Sequence, residues 1–192
     1  MSRDQQKWDA RYSAKDRQQP PQTPAFLPSL VAELKPGRLL DVASGDGAAA
    51  LYLAQAGFSV TALDISPAGL DRLQQFAERC GLAVQTVRAD LEHADGLAQL
   101  AEPAGFDSIL VCRYKPTPAL WQQLVERLAP GGVLMLVSFN LLQHQRHGFN
   151  ARFCLQPQEY LELDDRLELL SYRQLQQDDD YLDLYLFRRR AG

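Results

Sequence analysis

The stretch Leu39-Leu-Asp-Val-Ala-Ser-Gly-Asp-Gly-Ala-Ala-Ala50 decides the fold of this chain. Residues 38–42 form an apolar run that predicts a buried strand. The run enters a turn of small residues, Ala43-Ser44-Gly45-Asp46-Gly47, and then an Ala/Leu-rich helix predicted over 46–55. Strand, glycine turn and helix together bring main chain close to a nucleotide-like ligand. Glycines in such a turn adopt backbone angles that a side chain would block.

The pattern repeats on either side. Residues 58–64, 83–89, 106–112 and 133–139 predict four more strands. Between them, Ser66-Pro67 opens a helix whose buried face is Leu70, Leu73, Phe76, Ala77 and Cys80. A further helix is expected over 92–101. Leu120, Trp121, Leu124, Val125 and Leu128 give the stripe of another, and Pro130-Gly131-Gly132 predicts the turn after it. This alternation predicts an α/β fold with a mostly parallel sheet. Upstream, Phe26, Leu27, Leu30, Val31 and Leu34 predict a short helix over 24–34. Downstream, 140–155 reads as a polar loop and 157–163 as a short helix. Residues 166–172 and 181–187 read as an antiparallel strand pair at a sheet edge.

The whole chain has 192 residues, 46% of them hydrophobic, which suits one domain with a substantial core. We read 25–192 as that domain. Residues 1–24 are polar and proline-rich around Trp8 and Tyr12. They are either a mobile tail or a lid that lays one of those rings over a ligand. A formal charge of -4 gives no basic footprint for nucleic acid. Cys80, Cys112 and Cys154 are scattered, without zinc-like spacing, and no signal peptide or membrane span is evident. A cytoplasmic protein acting on a small molecule is expected, with no metal.

Four acids fall at or near strand ends: Asp41, Asp46, Asp64 and Asp90. In an open parallel sheet, ligands bind at that edge. Asp64 is placed to accept from two ribose hydroxyls, and Asp90 from an adenine amino group with Leu91 beside it. Each acid alone could be a helix cap or a loop carboxylate. Their recurrence after successive strands favours a shared ligand. Gly45-x-Gly47-x-x-Ala50 formally matches a nicotinamide-cofactor fingerprint. A dinucleotide, however, would set its pyrophosphate at the helix start beside Asp46. Asp41 and Asp46 suit instead a ligand with an ammonium and a sulfonium, as in S-adenosylmethionine.

The ordered set Leu-Leu-Asp-Val-Ala-Ser-Gly-Asp-Gly at 39–47, Val-Thr-Ala-Leu-Asp-Ile-Ser at 60–66, Ala-Asp-Leu at 89–91, Phe-Asp-Ser-Ile-Leu at 106–110 and Leu-Ala-Pro-Gly-Gly at 128–132 resembles the class I S-adenosylmethionine-dependent methyltransferases. Trp8-Asp-Ala-Arg-Tyr12 and the later Phe139, Gly148-Phe-Asn150 and Leu155 look like the tellurite-resistance and thiopurine methyltransferase subgroup. Ala48-Ala49 departs from the Arg-Asn common in the tellurite enzymes. The resemblance implies a Rossmann-like three-layer sandwich with seven strands, mostly parallel, the last antiparallel. It implies a cofactor site from Asp41, Ala43, Ser44, Gly45, Gly47, Asp64, Ile65, Asp90 and Leu91. Ala43 stands where the usual motif has its first glycine. Acceptor-side candidates are Trp8, Tyr12, Arg113, Tyr114, His144 and His147. Arg113 either orients an anionic acceptor or forms a surface ion pair. Methyl transfer to a small molecule leads; a non-catalytic cofactor-binding regulatory module comes next, then a nicotinamide oxidoreductase.

Overall fold

A computed structural model describes residues 2–93, 95–100 and 105–191. Within them, β1 (Arg38–Val42), β2 (Ser59–Asp64), β3 (Val84–Arg88), β4 (Phe106–Cys112), β5 (Leu128–Phe139), β6 (Leu167–Gln177) and β7 (Asp180–Arg189) form one sheet. Its order is β3-β2-β1-β4-β5-β7-β6. The first five strands pair in parallel. β7 runs antiparallel to both β5 and β6. The order reverses between β1 and β4, and a crevice opens at the carboxyl ends of the strands there.

The helices are α1 (Arg3–Ser13), α2 (Leu27–Leu30), α3 (Ala48–Gln55), α4 (Pro67–Arg79), α5 (Pro118–Arg127) and α6 (Leu141–His147). Successive strand residues point to opposite faces, so each buried strand feeds two cores. Leu39, Val60, Ala62, Leu110 and Met135 pack under Phe26, Leu27, Leu53 and Leu73 from α2, α3, α4 and the residue before α2. Leu40, Val42, Leu63, Ile109 and Val111 pack on the other side with Trp121 and Leu124 of α5. The result is the three-layer α/β sandwich, seven-stranded with β7 antiparallel, that the resemblance implies. α4 and α5 start alike. Ser66 accepts from the Gly69 N–H and Thr117 from the Leu120 N–H, each followed by proline in the first turn.

Five expectations change. Residues 92–93 and 95–100 form turns, not a helix; Ala94 and Ala101 lie outside the described residues. Residues 157–163 are turns as well, because the segment is spent returning the chain to β6. The polar loop 140–155 contains α6, capped by Asn140, and a 3-10 turn at Ala151–Phe153. Pro130-Gly131-Gly132 lies inside β5: Leu128 pairs with Phe106 and Val133 with Ser108, with a register shift between them. Residues 3–13, read from composition as polar tail or lid, form α1, and Ser2 accepts from the Gln5 N–H at its start.

Candidate functional site

The glycine turn sits at the carboxyl end of β1. The Ser44 N–H reaches the Leu63 carbonyl at 3.0 Å, and the Gly47 N–H returns to the Ser44 carbonyl at 3.0 Å. Ala43 has φ +58°, in the left-handed region that disfavours a Cβ. A glycine here would relieve that strain. Gly45 (φ +59°) and Gly47 (φ +88°) are left-handed too. A Cβ on Gly45 would collide with the Tyr12 hydroxyl, and one on Gly47 with the Leu73 side chain.

The four strand-end acids have four different surroundings. Asp41 is 1% exposed, and neither carboxylate oxygen has a hydrogen-bond partner. Burial, then the negative charge of Asp64, pushes its carboxyl up to about 8; the Ala50 N–H pulls the other way without reaching hydrogen-bond geometry. Asp64 is also buried, but its Oδ2 accepts from the Gly45 N–H at 2.8 Å and its Oδ1 from the Ser66 N–H at 2.9 Å. Burial raises its pKa, and the N–H groups of Ser66, Gly45 and Ile65 oppose that rise. Asp46 corrects the sequence argument. Its Oδ2 is held by Lys15 Nζ at 2.7 Å and Arg72 Nε at 3.4 Å, so its charge is neutralised by protein. At this turn Asp46 is thus held by protein cations, while Asp41 has no hydrogen-bond partner and Asp64 is held by backbone N–H groups.

Asp90 lines a cavity of about 570 Å³ together with Ile65, Ala89, His93 and Gln99 at the strand ends, and Ser2, Gln5 and Arg88. Its Oδ1 accepts from the Glu92 N–H at 3.2 Å, and Leu91 is buried beside it. A second cavity, of about 470 Å³, lies at the amino ends of the strands beside Arg38, Ser59 and Phe106, on the edge away from the glycine turn.

α1 borders the site. Gln5 Oε1 accepts from Arg88 at 2.9 Å. Asp9 Oδ1 accepts from the Ser66 hydroxyl at 2.6 Å and the Ala68 N–H at 3.3 Å. Tyr12 is buried against Gly45 and Gly69, and a Cβ on Gly69 would come within 2.9 Å of its ring. Trp8 stacks on Tyr12 at 5.8 Å between centroids and stays half-exposed between Lys7 and Arg11. Of the two N-terminal rings, Tyr12 faces the turn.

At the ends of β4 and β5 the candidate groups have protein partners. Arg113 (φ +53°) pairs with Asp180 at 2.5 Å. The Tyr114 hydroxyl donates to Glu92 at 2.8 Å, and Lys115 pairs with Glu159 at 2.9 Å. Burial, then the Glu92 bond, raises the Tyr114 pKa. The Cys112 thiol is pushed up to about 12 by burial, then by Asp41. His144 Nδ1 lies 2.7 Å from the Phe149 carbonyl, which can only accept, so Nδ1 carries the hydrogen. His147 stacks on Tyr181 at 5.8 Å. The two histidines thus face different partners. Among the described residues, no cluster of His, Cys, Asp or Glu is placed to hold a metal, and no helix could cross a membrane.

Sequence reading missed Gln5, Asp9, Arg72, Arg88, His93 and Gln99. A signal existed for α1, because Ser2-Arg-Asp-Gln5 has capping-box spacing. None existed for Arg72, whose partners lie far away along the chain.

Residues 39–132 match the family described as "Methyltransferase domain". With the fold and the strand-end site, this makes the chain a carrier of a class I, S-adenosylmethionine-dependent methyltransferase domain. A protein-L-isoaspartate O-methyltransferase from Chromobacterium violaceum is 35% identical over 118 residues, covering 60% of this chain and 49% of the relative. The chain thus spans about half the length of that relative. A structure from work on conversion of a disulfide bond into a thioacetal group during echinomycin biosynthesis has TM-score 0.73 at 20% identity, covering 97% of this chain and 92% of the other. TehB from Haemophilus influenzae has TM-score 0.68 at 18% identity, covering 87% of this chain and 62% of TehB. Identities this low speak for the fold alone. S-adenosylmethionine is the methyl donor of this class.

Proposed function

We propose that the protein transfers a methyl group from S-adenosylmethionine to a small-molecule acceptor. The observation that carries this reading is Asp41, a buried carboxylate without a protein partner at the glycine turn. A buried ionisable group left unpaired is costly, so its retention points to a cationic ligand. The residues fit the donor. Asp41 meets an ammonium, and Ala43, Ser44, Gly45 and Gly47 give main-chain approach. The Ser44 hydroxyl is likewise buried and unpartnered. Asp64 takes the ribose, and Ile65, Asp90 and Leu91 the base, in the cavity that Ser2 and Gln5 help to wall. A nicotinamide dinucleotide would press a pyrophosphate against the carboxyls of Asp41 and Asp64, which disfavours it.

When bound, S-adenosylmethionine supplies a methyl group already activated on sulfur. The chain's own work is to align the acceptor and exclude water. Cys112 and Tyr114 hold their protons at neutral pH and serve as walls. Arg113 and Lys115, just after β4, are already paired with Asp180 and Glu159.

Calorimetry with S-adenosylmethionine and its demethylated product tests the cofactor; no heat at millimolar ligand would overturn the reading. A panel of small thiols, oxyanions and amines tests the transfer. One methylated product supports it. Binding without turnover supports a regulatory module, a reading favoured by the engagement of Arg113, Tyr114 and Lys115 with protein groups.

A further inference from the structure

We infer that Arg72 is a positioning residue that locks the N-terminal segment to the glycine turn, so that the wall over the cofactor site and the turn beneath it act as one unit. This rests on the reading that the strand-end site holds S-adenosylmethionine.

Arg72 lies on α4 and is 7% exposed. Nη1 donates to the Asp16 carbonyl at 2.9 Å and the Lys15 carbonyl at 3.5 Å, and Nη2 to the Gln19 carbonyl at 3.2 Å. Nε reaches Asp46 Oδ2 at 3.4 Å. The guanidinium stacks over Phe76 at 5.4 Å. One planar cation therefore gathers three carbonyls from the chain leaving α1 and one carboxylate from the glycine turn. A guanidinium has five donors in a fixed fork; an ammonium cannot reproduce that span. Lys15 closes the arrangement from the other side, binding the same Asp46 oxygen at 2.7 Å.

The bound segment has functional surfaces on its inner side. α1 places Tyr12 against Gly45 and Asp9 on the start of α4, and Gln5 helps wall the cavity that Asp90 lines. Asp46 lies between Gly45 and Gly47. A shift of the turn on ligand binding is thus felt at Arg72, and through it at residues 15–19. This gives a buried arginine and a neutralised turn aspartate a shared task that neither the fold core nor the transfer chemistry needs.

The test uses the full chain and the demethylated cofactor product as probe. Wild type, Arg72→Lys, Arg72→Ala and Lys15→Ala are compared for product dissociation rate and for tryptic cleavage after Arg11 and Arg17. We expect the product to slow cleavage of wild type. Arg72→Lys should release the product about tenfold faster, equivalent to 1.4 kcal/mol, and lose most of that protection. Lys15→Ala, a half-exposed change that leaves the core untouched, should show the same effects more weakly. If Arg72→Ala does not fold, Arg72→Lys and Lys15→Ala decide. Unchanged dissociation and protection in both would overturn the lock while leaving the methyltransferase reading intact. Full rescue by lysine at 72 would also overturn it, because charge alone would then suffice. Failure of wild type to bind the product would overturn the proposed function instead.

Discussion

Replacing Asp41 by asparagine should stabilise the ligand-free protein and weaken cofactor binding. The carboxyl of Asp41 is raised from 3.8 to about 8 in the fold. Below about pH 4 it is protonated whether the chain is folded or not, and its burial costs little. Between about pH 4 and 8 the unfolded chain ionises while the fold keeps the proton, so stability falls by about 1.4 kcal/mol per pH unit. Above about pH 8 both states are ionised and the loss levels off. At pH 7 the loss is about 4 kcal/mol as a ceiling. Asparagine carries no such penalty but leaves its own amide unpaired, at about 1–3 kcal/mol. The variant should therefore be more stable than wild type by about 1–3 kcal/mol at neutral pH, and the order should reverse near pH 4, where the charge penalty of the wild type is gone and the amide cost remains. Urea unfolding of both proteins, without ligand, from pH 4 to 9 measures it. Calorimetry adds a second reading. A cationic ligand favours the ionised carboxylate, so binding to wild type near pH 7 should release a proton and binding to Asp41→Asn should not. The groups facing Asp41 are Asp64 of β2, Cys112 of β4 and the Ala50 N–H of α3. Parallel stability curves for the two proteins, with no gap opening between pH 4 and 8, would refute the reasoning.

Ala43→Gly should raise stability by about 1 kcal/mol, because φ +58° strains an alanine and not a glycine; a lowered urea midpoint would contradict this. Asp64→Ala should weaken cofactor affinity by about 1–3 kcal/mol. It also strands the Gly45 and Ser66 N–H groups, so unchanged affinity by calorimetry would remove Asp64 from the site. Gly69→Ala would bring a Cβ to 2.8 Å from the Gly45 carbonyl oxygen and 2.9 Å from the Tyr12 ring, so it should displace the glycine turn and α1, read as a red shift in Trp8 fluorescence, and Tyr12→Ala in the same chain should not reverse it, because the Gly45 collision remains. No spectral change in the single variant would count against the close packing of Tyr12.

The sheet and the strand-end acids were legible because both follow from short-range pattern. A five-residue apolar run such as Arg38–Val42 must pair on both sides, and a glycine turn must follow where main chain bends sharply. Asp64 and Asp90 are then placed by counting residues to strand ends. Residues 92–93 and 95–100 misled because Leu97 and Leu100 are buried from turns, where spacing carries no helical meaning. α6 was hidden because after Leu141 and Leu142 it is polar and too short for an apolar stripe, and its start is set by Asn140, which donates to Asp183 of β7 at 2.8 Å.

Asp41 and Asp46 show where pattern ends and tertiary structure begins. Five positions apart on one turn, they read as equivalent anions awaiting one cation. In the fold, strand alternation turns Asp41 into a core with no donor, whereas Asp46 meets Arg72 of α4 and Lys15 from beyond α1. The difference comes from contacts 26 and 31 residues away in sequence. It also divides the labour of the turn. A buried carboxyl left without a partner keeps its proton in the free protein and gains most by ionising when a cationic ligand arrives. A carboxylate already neutralised gains little from that ligand but holds its neighbours in place. The acid that looks most exposed to the ligand in sequence is the one the fold has taken for itself.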